Sequence, residues 1–226
     1  EELDPGMEAL TKFAVSGNYL SGQIYNAKLL KSSGIVSALI ENKGSQYYYP
    51  HMYLNMKCAA RYKTKFTSAA SVYLGKANDS DFDGSQNAVS GYFGAYSFGN
   101  RLDQFISVRD ALLECTKDID NENFDPTSFY VAYLNVVGKF MQMITLSNYD
   151  QYINHGLGLN LLTQSFSQFA LSAVKQFPLY DQIEKALADD IRGIEEHFLD
   201  RSNEICNPNL HIDYYKRNFM LKLSAA

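Results

Sequence analysis

The sequence predicts an all-α fold: a single helical domain over residues 1–226, built as a bundle of about six to seven helices, with a short α-helical repeat array as the alternative topology. Three observations carry this prediction. Apolar residues recur at three- and four-residue steps along most of the chain. No stretch shows the two-residue alternation of a half-buried strand, and no Asn-Gly hairpin turn occurs. Pro residues fall where helices would begin, as at Pro50 and Asp125-Pro126. A chain of 226 residues is long enough to bury a sizeable core, and 46% hydrophobic with 20% charged residues is ordinary globular composition.

The first segment, Met7 to Ala38, is apolar and small, with Phe13, Leu20, Ile24, Ala27 and Leu30 in helical phase. Ala14, Gly17 and Ser21 form a second row, of the kind that lets another helix pack closely. Ser32-Ser33-Gly34 is expected to kink or break the segment, Lys43 to Gln46 to form a turn, and Pro50 to open the next helix. Met52 to Tyr73 carries a stripe of Met52, Ala59, Tyr62, Phe66, Ala69 and Tyr73, which predicts one long amphipathic helix. Lys57, Arg61 and Lys65 lie a turn apart on another face. Such a row suits either a solvated helix surface or the binding of an acidic partner or phosphate, and the short row favours the solvated surface.

Between Gly91 and Gly99 three glycines alternate with aromatics, so the helical pattern is weakest there; each helix-interior Gly costs about 1 kcal/mol relative to Ala. From Leu102 the pattern returns, with Phe105, Ile106, Arg109, Leu112 and Leu113. The acidic run Asp118 to Asp125 fits a helix end, a loop and the next cap. Thr127 to Leu146 is apolar on nearly all sides, which predicts a helix at the centre of the bundle. Leu159, Leu162, Phe166, Phe169, Ala173 and Phe177 make the next stripe, ending at Pro178. Tyr180, Ile183, Leu187, Ile191, Ile194 and Phe198 then line one face of a last long helix, which ends before Asn207-Pro208 and covers the central helix. The tail from Asp213 to Leu223 is amphipathic and expected to cap the bundle.

One loop has the chemistry of a cation site. Asp79-Ser80-Asp81-Phe82-Asp83-Gly84 spaces three carboxylates alternately, which converges them on one point, and calcium takes six to eight oxygen ligands. The stretch resembles the first half of an EF-hand loop. The resemblance implies Asp79, Asp81 and Asp83 as side-chain ligands, Ser85 as a backbone ligand, and Ca2+ as the ion. The second half departs from the pattern. Gln86 stands where an aliphatic residue is usual and Ser90 where a bidentate Glu is expected, which lowers the expected affinity. The likeness spans about a dozen residues and names no family for the whole chain.

Signatures of catalysis are missing. His51, His155, His197 and His211 are scattered, without metal-binding spacing. No nucleophile elbow, phosphate-binding loop or dinucleotide fingerprint occurs; Gly156-Leu157-Gly158 is a fragment of one at most. Glu195-Glu196-His197 lies on a helix, where adjacent side chains diverge, and fits a solvated face. Cys58, Cys115 and Cys206 are too widely spaced for a structural zinc site and are either buried thiols or one disulfide with one free thiol. A net charge of −5 argues against nucleic acid as partner, and no apolar run is long enough to span a membrane.

The favoured functional reading is a non-catalytic protein-interaction or adaptor protein with a protein partner and a Ca-stabilised loop. It rests on the 17 Tyr residues, the amphipathic helices and the missing catalytic motifs. Two alternatives stand beside it: an enzyme or small-molecule binder with a dispersed inter-helix site, and a secreted effector or membrane-active helical protein. The acidic, Pro-containing start at Glu1 to Pro5 suits a mature exported protein, hence a periplasmic or secreted setting.

Overall fold

The computed structural model describes residues 2–16, 24–41, 50–65, 98–120, 122–155, 159–188 and 190–205. These residues form nine helices: α1 (Met7–Ser16), α2 (Ala27–Ser32), α3 (Ile35–Glu41), α4 (Pro50–Arg61), α5 (Phe98–Thr116), α6 (Pro126–His155), α7 (Leu159–Val174), α8 (Tyr180–Leu187) and α9 (Asp190–Ile205). Two short strands, β1 (Glu2–Leu3) and β2 (Thr64–Lys65), pair antiparallel. The all-α class is therefore as the apolar periodicity indicates. The chain divides into two compact units, Glu1–Val137 and Gly138–Ala226. The turn at 43–46, most of the glycine-aromatic stretch and the 213–223 tail lie outside the described residues.

In the first unit α4 packs against α1 on one side and α5 on the other. Leu10, Met56, Phe105, Leu112, Phe129, Tyr130 and Tyr133 are completely buried there. The Phe105 and Tyr133 rings meet edge to face, 6.2 Å between centroids and 63° between planes, the arrangement their quadrupoles favour. Asp125 starts α6 as its sequence suggests. Its carboxylate accepts from the Thr127 and Ser128 amides, each at 3.1 Å, and from the Ser128 hydroxyl at 2.5 Å.

The long helix expected over Met52 to Tyr73 ends instead at Arg61. The last helical bond is Tyr62 N–H to Cys58 O at 2.8 Å, and β2 follows almost at once. The physical reason is a competing long-range partner. Glu2 faces Lys65 and Leu3 faces Thr64 in a two-residue ladder, and Leu3 inserts into a cluster with Ala9 and Ala59. Gly6, at φ 139°, turns the chain from β1 into α1 while its amide reaches Ala59 O at 3.3 Å. Phe66, Ala69 and Tyr73 of the expected stripe lie outside the described residues.

The Ser32-Ser33-Gly34 break falls where the sequence puts it. Asn26 caps α2 by accepting from the Lys28 and Leu29 amides, each at 3.1 Å. Gly34, at φ 72°, separates α2 from α3 in a conformation open to glycine. Ile24, assigned by its phase to an apolar stripe, is 87% exposed. The helix α6 also differs from the all-round burial its composition suggests: Val131 is 41% exposed and Asn135, one turn on, is exposed too. It runs past Leu146 to His155.

In the second unit the buried face of α7 is Phe166, Ala170, Ala173 and Val174, whereas Phe169 is 39% exposed. The face keeps Phe166 and Ala173 of the expected stripe, adds Ala170, Leu171 and Val174, and is turned from the stripe by less than the roughly 100° of one residue step. Phe198 of α9 approaches Gly138 of α6 so closely that a Cβ there would lie 3.5 Å from its ring. The last long helix is two helices. Ala188 adopts φ 43°, ψ −117°, and its amide closes α8 on Glu184 O at 2.7 Å. No Gly or Pro marks the break, and the apolar stripe continues in phase across it. For a residue with a Cβ this conformation is costly; for glycine it is the mirror image of ordinary extended backbone. Ala188→Gly is therefore expected to raise stability by about 1 kcal/mol, read as a higher denaturation midpoint at unchanged m-value. A lowered midpoint would contradict the strained junction.

Candidate functional site

The row Lys57, Arg61 and Lys65 is not one face: Lys57 is buried, whereas Arg61 and Lys65 are exposed as a solvated surface requires. Helix α4 carries Lys57 and Arg61 one turn apart toward the C-terminal end of α5, and the chain reversal after Arg61 takes Lys65 away onto β2. Lys57 Nζ donates to Asp118 Oδ2 at 2.8 Å and to the Glu114 carbonyl at 3.2 Å, with Glu114 Oε1 at 3.5 Å. Arg61 Nη2 donates to Asp118 Oδ1 at 2.8 Å. Arg61 Nη1 reaches Ser33 O, between α2 and α3, at 3.4 Å. The Lys57 side chain is only 5% exposed and also lies over the Tyr53 ring, 5.6 Å from its centroid.

Asp118 is the hub. It sits in the turn after α5, where its amide bonds Cys115 O at 3.2 Å, and each of its oxygens takes one cation. Burial by itself would push this carboxyl up. The hydrogen bonds from Arg61 and Lys57, and their charges, outweigh burial and hold it below the usual carboxylate range. Glu114 is lowered as well, first by its hydrogen bond from Lys117 at 2.6 Å and then by Lys57. Arg61 is raised, chiefly by its bond to Asp118. A buried ammonium costs several kcal/mol unless it is paired and hydrogen-bonded, and here it is both.

The two described thiols lie near this cluster. Cys115 is fully buried on α5, and burial pushes its thiol up despite the opposing charge of Lys57. Cys58, half-buried on α4, is pushed up to about 11, mainly by burial. Both are free and protonated at neutral pH, so neither has the thiolate character of a nucleophile. Asp118, ionised with both oxygens engaged, is equally far from the pKa that proton transfer near neutrality requires. Cys206 lies outside the described residues.

The sequence shows the two cations of this cluster but not its anions. Its signal is a pair of matched spacings: Lys57 and Arg61 four apart on one helix, Glu114 and Asp118 four apart at the end of another. The candidate calcium ligands Asp79, Asp81, Asp83 and Ser85 all lie outside the described residues. Among the described residues no group of three or more His, Cys, Asp or Glu side chains is placed to hold a metal ion. Glu196 and His197 are exposed on α9, as a solvated face requires.

A second feature lies on the surface of the first unit. The segment 24–41 exposes three large apolar side chains: Ile24 at 87%, Val36 at 38% and Ile40 at 66%. Val36 and Ile40 are one turn apart on the same face of α3. Lys28 and Lys31, three apart on α2, are exposed. No described helix is long and apolar enough to cross a membrane. No family model, curated protein or solved structure matches the chain.

Proposed function

We propose that this chain is a non-catalytic protein-interaction or adaptor protein whose α2–α3 segment meets its partner. The observation that supports the reading is the exposure of Ile24, Val36 and Ile40 on one short stretch of chain. Single exposed apolar residues are ordinary; several on one element, beside accessible cations, are what interfaces are made from. The exposed Lys28 and Lys31 favour a partner that offers an apolar anchor with acidic residues around it. The matching experiment uses Val36→Glu/Ile40→Glu, a surface change that leaves the helical circular dichroism intact. Proteins captured by the wild-type chain but not by the variant would be purified, and their affinity measured directly. A loss of about tenfold or more is expected for the variant. Equal affinity for both chains, or substrate turnover with no partner retained, would defeat the reading.

We also propose that the Asp79 to Ser85 loop binds Ca2+ through Asp79, Asp81, Asp83 and the Ser85 carbonyl. With no acidic residue at Ser90, the expected dissociation constant is about 0.1–1 mM, the range that suits extracellular calcium and an exported protein. Adding 5 mM Ca2+ to metal-free protein should then stabilise it by about 1–2 kcal/mol, seen as a rise of a few degrees in melting temperature. Magnesium at the same concentration should do much less. No shift with calcium would end the proposal.

A further inference from the structure

The α2–α3 segment buries little of itself. No side chain of α2 is buried, and on α3 only Ile35 is. Helices of six and seven residues are far too short to persist by themselves, so this segment keeps its shape through its attachments. Three lie among the described residues. Ile35 is sunk into the core at 2% exposure. The Tyr25 hydroxyl donates to Asn55 Oδ1 on α4. The Ser33 carbonyl accepts from Arg61, at a long 3.4 Å. By contrast, Met56, Ala59 and Leu112 on α4 and α5 are completely buried. Local opening follows the number of buried apolar contacts, so neighbouring elements this different in burial open at different rates.

Cys58 lies between the segment's two footholds on α4, Asn55 and Arg61. It stands one helical turn after Asn55 and one before Tyr62, and the Tyr25 hydroxyl sits within electrostatic reach of its thiol. Arg61, the other anchor of the segment, also acts on that thiol. Cys115 provides a contrast, since it is completely buried on α5 and its shielding belongs to the core.

We propose that residues 24–41 are a strap that opens as a unit while α1, α4 and α5 stay packed, and that opening unmasks Cys58. The closed strap keeps the thiol half-buried and protonated; the open strap puts it in water with Arg61 beside it. A thiol reagent then meets Cys58 far faster in the open state than in the closed one. The inference does not depend on what α2–α3 binds, and failure of the partner experiment leaves it standing.

The test is thiol labelling under native conditions. The wild-type protein is treated with iodoacetamide at pH 8, and each cysteine is followed by peptide mass mapping, so Cys58, Cys115 and Cys206 are read separately. The strap predicts that Cys58 is alkylated at least ~100-fold faster than Cys115, at a rate insensitive to low urea. Amide hydrogens of 24–41 should exchange ahead of those of α4 and α5. Tyr25→Phe, which removes one anchor, should speed Cys58 alkylation by about fivefold and leave Cys115 unchanged. A common rate for both thiols that rises steeply with urea would show that only global unfolding exposes them, and would overturn the strap. So would fast Cys58 labelling that Tyr25→Phe leaves untouched, since the thiol would then be open with the strap in place. If Tyr25→Phe does not fold, the wild-type protein decides the question: Cys58 alkylation and amide exchange of 24–41 must report the same opening free energy, and a Cys58 rate far above that opening overturns the strap.

Discussion

Asp118→Ala is expected to destabilise the first unit by about 3–4 kcal/mol at pH 7, the largest loss from any single charged residue described. The carboxylate accepts from Lys57 at 2.8 Å and from Arg61 at 2.8 Å, and Lys57 is almost wholly out of water. Removing the anion leaves an ammonium buried with one carbonyl and a Glu114 carboxylate at 3.5 Å that is itself 39% exposed. Glu114 compensates in part, so the loss falls at the lower end of the roughly 3–5 kcal/mol typical of a broken buried pair. Arg61, with its side chain 35% exposed, returns to solvent at small cost. Lys57→Met in the Asp118→Ala background should recover most of the loss, because no buried charge then remains. A urea-denaturation double-mutant cycle reads this directly. If Asp118→Ala costs less than about 1 kcal/mol, Lys57 is not buried in the way described.

The same pair fixes a pH dependence. The folded pKa of Asp118 is depressed below its unfolded value. Its stabilisation is therefore complete above the unfolded carboxylate range, near pH 4, and is lost as pH falls through the lower folded value. Glu114 shifts in the same direction. Wild-type stability should decline steeply below about pH 4, and Asp118→Ala should flatten that decline. Parallel acid limbs for the two proteins would assign the titration to other groups.

This cluster shows where sequence reading reaches and where it stops. The helical class follows from local spacing, because each helix needs an apolar stripe and local spacing is what a sequence displays. The break at Ser33-Gly34 and the cap at Asp125 are equally local, set by side chains within three residues of the backbone they satisfy. The end of α4 is not local. The stripe from Met52 continues in helical phase past Arg61, yet the backbone there is claimed by Glu2 and Leu3, about sixty positions earlier in the chain. Lys57 looks like a surface cation for the same reason, since its counter-ion is 61 residues away. The division of α8 from α9 has no sequence signal at all: Ala188 is a good helix former in a continuous stripe, and it is nonetheless left-handed in φ.

Phe166→Ala is expected to cost the second unit about 3–5 kcal/mol, and Phe169→Ala less than about 1 kcal/mol. The pair decides which face of α7 is the core. Spacing puts both residues on the stripe Leu159, Leu162, Phe166, Phe169, Ala173 and Phe177, and on that basis they should matter equally. In the structure Phe166 is 1% exposed and aligned with Ala170, Ala173 and Val174, whereas Phe169 keeps 39% of its surface in solvent. Truncating Phe166 removes a whole ring from water-free surroundings and leaves a cavity that its small neighbours cannot fill. Truncating Phe169 gives back surface already partly wet, leaves no closed void, and replaces an aromatic by a better helix former. Both helices would keep their circular dichroism, so the readout is the urea midpoint at constant m-value. Equal losses would return the core face to the one periodicity alone suggests. A large loss at Phe166 with little at Phe169 would fix the core face of α7 on Phe166, Ala170 and Val174.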